Sequence, residues 1–336
     1  MKHHSWSRGL LVLVGLVGFL RLVVAAPLVV SVINVGQGDS ILVQFPDGKD
    51  MLVDAGDSGH GTAVVSYLRS RAIKRIDILV ASHPHADHIG GMPAVFAALP
   101  VGKVWDSGYN QGSRTQQQFL QTIRQKHIAF GTPRAGFSQS VGGVRIDVLA
   151  PGKTLLTGTD SDANNNSLVL RLAYGATSVL LPGDMEEAER ATVSDWPSTT
   201  VLKVAHHGSR NGTDLSFARA LAPEIAVISY GEGNEYEHPH PEAVTALREV
   251  GATIYRTATQ GTIVLTSNGS QVTAKALGVA RTAATADSCA YIGNRRTHIY
   301  HLPTANHLPK PENRVCFASR AEAERAGYRP CKLCFR

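Results

Sequence analysis

The chain has 336 residues, of which 43% are hydrophobic and 18% are charged, a composition that predicts a folded protein of about two domains and excludes a mostly disordered one. Aromatic residues make up only 6%, which argues against a stacking platform for single strands, and four cysteines exclude a large disulfide scaffold. The net charge of +6 is uneven, because residues 1–26 carry +3, residues 27–290 sum to −3 and residues 291–336 carry +6.

The N-terminus forms the first predicted element, a secretory signal. Lys2 and Arg8 provide a charged start, Gly9–Leu20 is an uninterrupted apolar run, and small residues at Ala25 and Ala26 suit cleavage. An uncleaved anchor is the alternative, because counting through the next arginine extends the run to 18 residues, near the roughly 20 that span a bilayer. We therefore expect a secreted or periplasmic protein, with an N-terminal membrane anchor as the alternative and no stable span after cleavage.

Residues 27–268 are predicted to form one domain of alternating strands and helices. Hairpin strands come first, strands then alternate with helices, and this order repeats in the second half, which suggests two mixed sheets packed face to face with helices outside. The predicted strands are 28–33, 40–45, 51–53, 76–81, 144–149, 167–173, 178–181, 201–204, 225–229, 253–255 and 262–266, and the predicted helices are 62–72, 114–127, 185–192, 214–221 and 241–250. Residues 269–290, rich in Ala, Thr, Ser and Gly, are predicted as a linker to a compact module at 291–336.

The loop after the predicted strand 76–81 carries four potential metal ligands, His83, His85, Asp87 and His88. Imidazole and carboxylate together suit Zn²⁺, Mn²⁺ or Fe²⁺. Two such ions about 3.5–4 Å apart can clamp the attacking and leaving oxygens of a displacement. A histidine-rich surface loop is the alternative, but such a loop has no reason to follow a core strand and to close on Gly-Gly. The loop therefore predicts a metal centre.

Further polar residues follow other predicted strands. Asp184 comes after an apolar strand and a Pro-Gly turn, and is either a metal ligand or the N-cap of the next helix. His206 and His207 follow the strand 201–204; one is predicted as a general acid and the other as an outer support, with His206 favoured for the chemistry. Lys203 on that strand either neutralises a phosphate in the site or is a solvated edge residue.

These motifs resemble the metallo-β-lactamase fold hydrolases and, more closely, the hydrolase domain of the ComEC family of competence proteins, without its membrane channel. The resemblance covers about residues 28–268 and implies an αββα sandwich. It rests on segments whose order is specific: 35–40 (VGQGDS), 52–56 (LVDAG), 83–88 (HPHADH), 180–184 (LLPGD), 202–209 (LKVAHHGS) and 238–241 (HPHP).

The resemblance also implies roles for the ligands. His83 and His85 would bind one metal, Asp87 and His88 the other, and Asp184 would bridge them. The second metal needs a further imidazole, for which His238 is the candidate, although His238 or His240 could instead cap the following helix.

One segment departs from the wider fold. Where lactamases and glyoxalases supply a third histidine to the first metal, residues 160–167 contain none. An oxygen ligand from Asp162, Asn164 or Asn165 would favour Mn²⁺ over Zn²⁺ and leaves either one or two ions in the site.

The tail at 291–336 resembles the small zinc-binding domain of the DNA-repair protein Ada. Cys331 and Cys334 have a metal-knuckle spacing, although a redox pair or a disulfide is an alternative in an exported protein. The resemblance implies that both cysteines bind Zn²⁺ and that His301 replaces an Ada cysteine. The next Ada cysteine aligns with an alanine, so His307 or Cys316 is expected to supply the fourth ligand. Ada's methyl-accepting chemistry is not expected here.

The leading prediction is an exported metal-dependent nuclease that hydrolyses DNA phosphodiesters by attack of metal-bound hydroxide. The tail of charge +6 would hold DNA through its phosphates without sequence specificity. The alternatives are a hydrolase of a small ester, lactone or phosphodiester, and a non-catalytic DNA-binding protein, against which the complete ligand set of residues 83–88 argues.

Overall fold

The computed structural model describes residues 26–278, 289–310, 313–317 and 319–335. The predicted signal lies outside the described residues except for Ala26, and so do residues 279–288 of the predicted linker. Within the described ranges, none of the helices has the length and apolar character that a membrane span requires.

The first half of the chain builds six strands of an eight-stranded mixed sheet and the helices on its outer face. In chain order its elements are β1 (Leu28–Val32), β2 (Ile41–Gln44), β3 (Asp50–Val53), α1 (Gly61–Ser70), β4 (Ile76–Ala81), α2 (Ala86–Ile89), α3 (Met92–Ala98), β5 (Val101–Asp106), α4 (Arg114–Gln125) and β6 (Ala129–Gly131). Strands β1 to β3 are antiparallel neighbours, and β3 to β6 run parallel. Strand β5 was not predicted, because Gly102 and Lys103 interrupt its apolar pattern.

The second half builds a seven-stranded sheet. Its elements are β7 (Ser138–Val141), β8 (Val144–Ala150), β9 (Val169–Tyr174), β10 (Thr177–Leu181), α5 (Glu187–Arg190), β11 (Val201–Lys203), α6 (Leu215–Leu221), β12 (Ile225–Ile228), α7 (Pro241–Glu249) and β13 (Thr253–Arg256). Strands β10 to β13 are parallel and β7 to β10 antiparallel. The short helix α8 (Thr257–Gln260) then leads to β14 (Ile263–Ser267), which returns to the first sheet beside β1.

Side chains alternate between two buried faces in both sheets. In β2, Ile41 and Val43 join the core between the sheets while Leu42 faces the helices of the first sheet, and in β10 Leu180 faces the helices of the second sheet. Because both faces are buried, such strands are continuous apolar runs rather than alternating ones. The layers are helix, sheet, sheet and helix, which confirms the predicted metallo-β-lactamase αββα sandwich.

The predicted linker is shorter than expected at its start. Val272–Ala276 forms β15, which pairs antiparallel with β14 along its whole length. Its small and polar composition suits an edge strand, and this composition led to the prediction of a linker from residue 269.

The tail forms its own four-stranded sheet. The strands are β16 (Tyr291–Asn294), β17 (Ile299–His301), β18 (Arg314–Phe317) and β19 (Arg329–Pro330), with α9 (Arg320–Arg325) before the last strand. A disulfide joins Cys289 to Cys316.

Candidate metal centres

The main candidate site lies where parallel strands of both sheets end. Asp54 directly follows β3, and the segment Ser82–His88 follows β4, the parallel neighbour of β3, and runs into α2. Asp184 comes after β10, and His206 and His207 come after its parallel neighbour β11. The carboxyl ends of parallel strands are where ligand sites form in α/β sheets. The fold therefore brings together side chains that are more than 100 residues apart.

Four of these side chains form one compact group, Asp87, His88, Asp184 and His207. The Nε2 atoms of His88 and His207 lie 3.2 and 3.3 Å from Asp184 Oδ2, and 3.3 Å from each other. Asp87 Oδ2 lies 3.4 Å from His207 Nε2 and 3.7 Å from His88 Nε2. Bonds of about 2.0–2.2 Å to a tetrahedral ion put ligand atoms roughly 3.3–3.6 Å apart, so the spacing fits one metal ion.

The group has an unused ligand oxygen. Asp184 Oδ1 is buried, and among the described residues it has no hydrogen-bond partner. A buried carboxylate oxygen left unpaired is costly, and a metal ion would satisfy it.

The first predicted ligand pair also lies close to Asp184. His83 Nε2 is 3.1 Å from His85 Nδ1 and 3.7 Å from Asp184 Oδ2. Asp184 Oδ2 therefore lies within 3.7 Å of an imidazole nitrogen of each set, which is the proximity that a bridging carboxylate needs.

Outer contacts orient the two deepest histidines. His88 Nδ1 lies 2.8 Å from Asp54 Oδ2, and His207 Nδ1 lies 3.0 Å from the carbonyl oxygen of Ser229. Because each acceptor holds a proton on Nδ1, the Nε2 lone pair of each ring remains for a metal.

Lys203, predicted as a catalytic candidate, lies beneath the site. Its side chain is 1% exposed and its ammonium forms an ion pair with the buried carboxylate of Asp39. Asp39 also accepts a hydrogen bond from the hydroxyl of Ser229, whose carbonyl group holds His207. The alternative of a solvated edge residue is therefore wrong, and the ammonium is engaged below the ligands rather than directed at a substrate.

Gly38 permits the loop that carries Asp39 to approach the metal loop. The Asp39 N–H donates to the carbonyl oxygen of Asp87, and a Cβ atom at Gly38 would lie 2.1 Å from the same oxygen. Any other residue would push the loops apart.

Buried charges of opposite sign balance each other in the group. Burial disfavours a charged His207, but the carboxylate of Asp184 outweighs it and raises the pKa of His207 to about 9. Burial likewise opposes ionisation of Asp184, yet the neighbouring His207 and His88 hold its pKa well below the usual range. Bound metal would replace these protons, because imidazole and carboxylate bind metal in their deprotonated forms.

His206 lies at the mouth of the site, with its side chain 22% exposed. Its Nε2 is 3.8 Å from Asp184 Oδ2 and its Nδ1 is 3.1 Å from Glu186 Oε1. The side-chain amides of Asn164 and Asn165 each donate to the Glu186 carboxylate over 3.0 Å. Glu186 was missed in the sequence because it fell within a predicted helix; its position two residues after Asp184 was the available signal.

His238 does not join the compact group. Its ring centroid lies 6.3 Å from that of His207 and 5.3 Å from that of His206. Burial, and then the neighbouring His206 and His207, lower the pKa of His238 to about 4. The geometry thus favours His207 over His238 as the further imidazole of the second metal. His240 is the N-cap residue of α7, without a side-chain capping bond.

The Asn-rich loop mostly satisfies its own oxygens. Asp162 accepts from the N–H groups of residues 158 and 159, and Asn165 Oδ1 accepts from the Glu189 N–H. Asn164 Oδ1 is buried and, within the described part of the chain, has no hydrogen-bond partner. Of the three predicted oxygen ligands, Asn164 alone keeps a free oxygen.

The tail contains a second compact group, His301, His307, Cys331 and Cys334. His307 Nε2 lies 3.2 Å from Cys331 Sγ and 3.5 Å from Cys334 Sγ, spacings that fit a tetrahedral Zn²⁺ site. Burial opposes ionisation of Cys331, but its hydrogen bond with His307 contributes to a pKa lowered to about 7. Cys331 and Cys334 are not disulfide-bonded, whereas Cys316 is bonded to Cys289. Of the two expected fourth ligands, the geometry therefore favours His307.

Two family models match the chain. The model of the metallo-beta-lactamase superfamily matches residues 33–232, and the model of the metal binding domain of Ada matches residues 276–336.

Similar sequences include two competence proteins. ComE operon protein 3 of Bacillus subtilis (strain 168) is 30% identical over 255 residues, covering 70% of this chain and 32% of that protein. Competence protein ComA of Neisseria gonorrhoeae is 31% identical over 239 residues, covering 70% of this chain and 31% of that protein. The chain thus spans about a third of the length of these relatives.

Among solved structures, the metallo-beta-lactamase fold protein YhfI from Bacillus subtilis is similar to this chain. The TM-score is 0.51 at 16% identity, over 72% of this chain and 100% of YhfI. This likeness concerns the fold.

Proposed function

Because the chain belongs to the metallo-beta-lactamase superfamily, we propose that it is a metal-dependent phosphodiesterase that hydrolyses DNA outside the cytoplasm. The observation that carries the proposal is the group of Asp87, His88, Asp184 and His207, whose ligand atoms have the mutual distances of a single ion's coordination shell. In a two-ion site, His83 and His85 would supply two donors for the first ion, and Asp184 would bind both ions.

Different residues of the site have different proposed roles in hydrolysis. When bound, one or two Zn²⁺ or Mn²⁺ ions supply an activated water at neutral pH and positive charge for the phosphate oxygens. Asp87, His88, Asp184 and His207 would hold the second ion, while Asp54 and the Ser229 carbonyl fix the rings of His88 and His207. The Asp39–Lys203 pair supports Ser229 from below.

His206 is the proposed general acid. It lies at the mouth of the site rather than in the compact group, with Nε2 toward Asp184 and Nδ1 against Glu186. Glu186, itself held by two asparagine amides, keeps the ring in one orientation. A proton on Nε2 is then in reach of a leaving oxygen next to the metal ligands.

The tail is the proposed DNA-holding module. Its charge of +6 contrasts with −3 for residues 27–290. Arg295 and Arg296 lie on the β16–β17 turn, and Arg329 pairs with Ile299 at the start of β17, so that three exposed arginines lie close to this turn. Arginine side chains bind phosphate oxygens without reading the bases, and the similarity to a metal binding domain of Ada supports a contact with DNA.

Export is supported by two features of the chain. The N-terminal segment has the charged, apolar and small-residue order of a secretory signal. The Cys289–Cys316 disulfide is of a kind that persists in oxidising compartments.

A cleavage assay tests the catalytic proposal. The mature protein is incubated with single- and double-stranded DNA plus Mn²⁺ or Zn²⁺, beside an Asp87→Ala variant and an exposed control, Asp195→Asn. We expect metal-dependent cleavage by the wild type and by the control but not by Asp87→Ala, with metal content measured on the same samples. Absence of metal-dependent cleavage by the wild type would refute a nuclease.

A salt titration tests the role of the tail. Replacing Arg295, Arg296 and Arg329 by glutamine is expected to weaken the retention of DNA of any sequence. The slope of the logarithm of the DNA-binding constant against the logarithm of the salt concentration should become less steep by about 0.9 per lost phosphate contact. The control is Arg219→Gln on α6, an exposed arginine that belongs to the sandwich and not to the tail. An unchanged slope in the triple variant, or in a chain lacking 291–336, would contradict the proposal.

A further inference from the structure

Tyr236 is an aromatic residue exposed beside the metal ligands. At 55%, it is the most exposed large aromatic side chain among the described residues. Its ring lies against the ring of His238, with centroids 5.6 Å apart and planes inclined by only 25°. An exposed ring that rests on a second ring offers a flat surface to a planar ligand.

This ring pair adjoins the candidate active site. His238 is 5.3 Å from His206 and 6.3 Å from His207, centroid to centroid. The rings of Tyr236, His238 and His206 thus lie next to one another in this order. A group stacked on Tyr236 would therefore lie near a phosphate bound at the site.

Asn234 fixes the loop that carries the ring pair. Its Oδ1 accepts hydrogen bonds from the N–H groups of Tyr236 and His238, over 3.1 and 3.0 Å. Its Nδ2 donates to the carbonyl groups of Gly231 and His238, each over 2.8 Å. A stacking surface that is already ordered in the free protein loses less conformational entropy when a ligand binds.

The charges of the loop exclude a role in holding the phosphate backbone. Residues 231–240 contain three glutamates and no lysine or arginine. A loop of this charge repels phosphates. The part of a nucleotide that it can contact is therefore the uncharged, planar base. Every nucleobase has such a face, and stacking on an aromatic side chain tolerates all four bases.

We propose that Tyr236, supported by His238, stacks against an unpaired nucleobase of the nucleotide that flanks the scissile phosphate. The inference rests on the proposed phosphodiesterase function and names the feature of the substrate that the site recognises. Bases inside an intact duplex are stacked on each other and do not present a free face, so the platform favours unpaired strands and frayed ends.

Chromogenic diesters with and without a base test this proposal. The substrates are the p-nitrophenyl esters of thymidine 5′-phosphate and thymidine 3′-phosphate, which place the base on either side, and methyl p-nitrophenyl phosphate, which has no base. We expect Tyr236→Ala to lose about 10-fold more kcat/KM on one thymidine ester than on the base-free ester, mainly through KM. Tyr236→Phe, which keeps the ring, should remain within about twofold of the wild type on that ester.

The matched control is Phe130→Ala, which removes a 46% exposed aromatic ring from β6 and should alter no substrate selectively. Equal losses on all three esters in Tyr236→Ala, or a loss in Tyr236→Phe as large as that in Tyr236→Ala, would overturn the stacking platform while leaving the phosphodiesterase in place. Failure of the wild type to hydrolyse any of the three esters with Mn²⁺ or Zn²⁺ would contradict the proposed function, and the platform would be refuted with it.

Discussion

The two candidate metal centres are assembled in different ways. The ligands of the sandwich centre follow buried strands of two sheets, and each sheet is covered on its outer face by helices. The ligands of the tail centre come from β17, from the loop after it and from the C-terminal knuckle. The buried apolar cluster of the tail contains only Tyr300, Phe317 and Ala323 among the described residues.

This difference indicates which of the two sites depends on bound metal for its folded structure. In the sandwich, apolar packing on both faces of the strands determines where each strand ends, so the ligands are positioned before metal binds. In the tail, this small apolar cluster is not enough to stabilise a module of this size, and a metal and a disulfide take over part of that task.

The largest expected effect is the loss of the tail fold without its metal. We expect Cys331→Ser to abolish zinc retention in the tail and to unfold it, because structural zinc contributes on the order of 10 kcal/mol to such modules. Replacing Zn²⁺ by Co²⁺ gives a thiolate charge-transfer band that reports on the tail alone, since all four cysteines lie at 289–334. The sandwich should keep its thermal transition; a concerted loss of both would contradict the comparison.

Replacing the bridging ligand of the sandwich is expected to remove activity and metal without unfolding the domain. Asp184→Asn keeps the shape of the side chain but removes the charge that faces four histidines. Hydrolysis should fall by about 10³-fold, because Asp184 would hold the metal ions that stabilise transition-state charge, and metal content should fall with it. The circular dichroism spectrum should not change. Asp195→Asn serves as control, and a global unfolding of Asp184→Asn would indicate that this centre is structural too.

A smaller effect is expected from the tail disulfide. The double replacement Cys289→Ser and Cys316→Ser opens a loop between residues 27 positions apart and should cost about 3 kcal/mol. The urea midpoint of the Co²⁺–thiolate band should decrease, while that of the sandwich remains unchanged. An unchanged midpoint for the band would mean that metal alone stabilises the tail.

The sequence contained enough to predict the layers and most ligands of the sandwich. Apolar runs such as 76–81 signal strands buried on both faces, and the ligand-rich loop at 82–88 follows one of them. The choice between His207 and His238 was beyond the sequence, because it depends on how deep each ring lies after β11 and β12 are aligned. Both adjacent histidines, His206 and His207, adopt positive φ values of 48° and 54°, a backbone shape that residue type did not signal.

Supporting residues were harder to predict than ligands. Glu186 and Asn165 form their hydrogen bond across 21 residues, and Lys203 meets Asp39 across the sandwich. A polar residue at the end of an apolar strand is a local signal for a ligand, whereas its partner is defined only by the tertiary fold. The edge strand β15 was missed for a related reason, since its composition matches a linker and only its pairing with β14 identifies it.

The smallest predicted effect is a pH dependence of stability that concerns the sandwich and not the tail. Asp106 at the end of β5 is buried, and burial raises its pKa to about 6. The unfolded chain binds this proton with a pKa near 4, so the stabilising contribution of protonated Asp106 is complete below about pH 4 and is lost as pH rises through 6.

In the wild type, the Gly108 N–H donates a hydrogen bond to Asp106 Oδ1. Asp106→Asn keeps an oxygen for this bond and abolishes the decrease in stability between about pH 4 and pH 6. At pH 7 the variant should be more stable than the wild type by about 2 kcal/mol, a gain of several degrees in the sandwich transition, and near pH 4 the two should melt together. Asp195→Asn should give no such pH-dependent difference. The Co²⁺–thiolate transition of the tail should be the same in all three proteins, and a shift of that band in Asp106→Asn would show that the two centres share one cooperative fold.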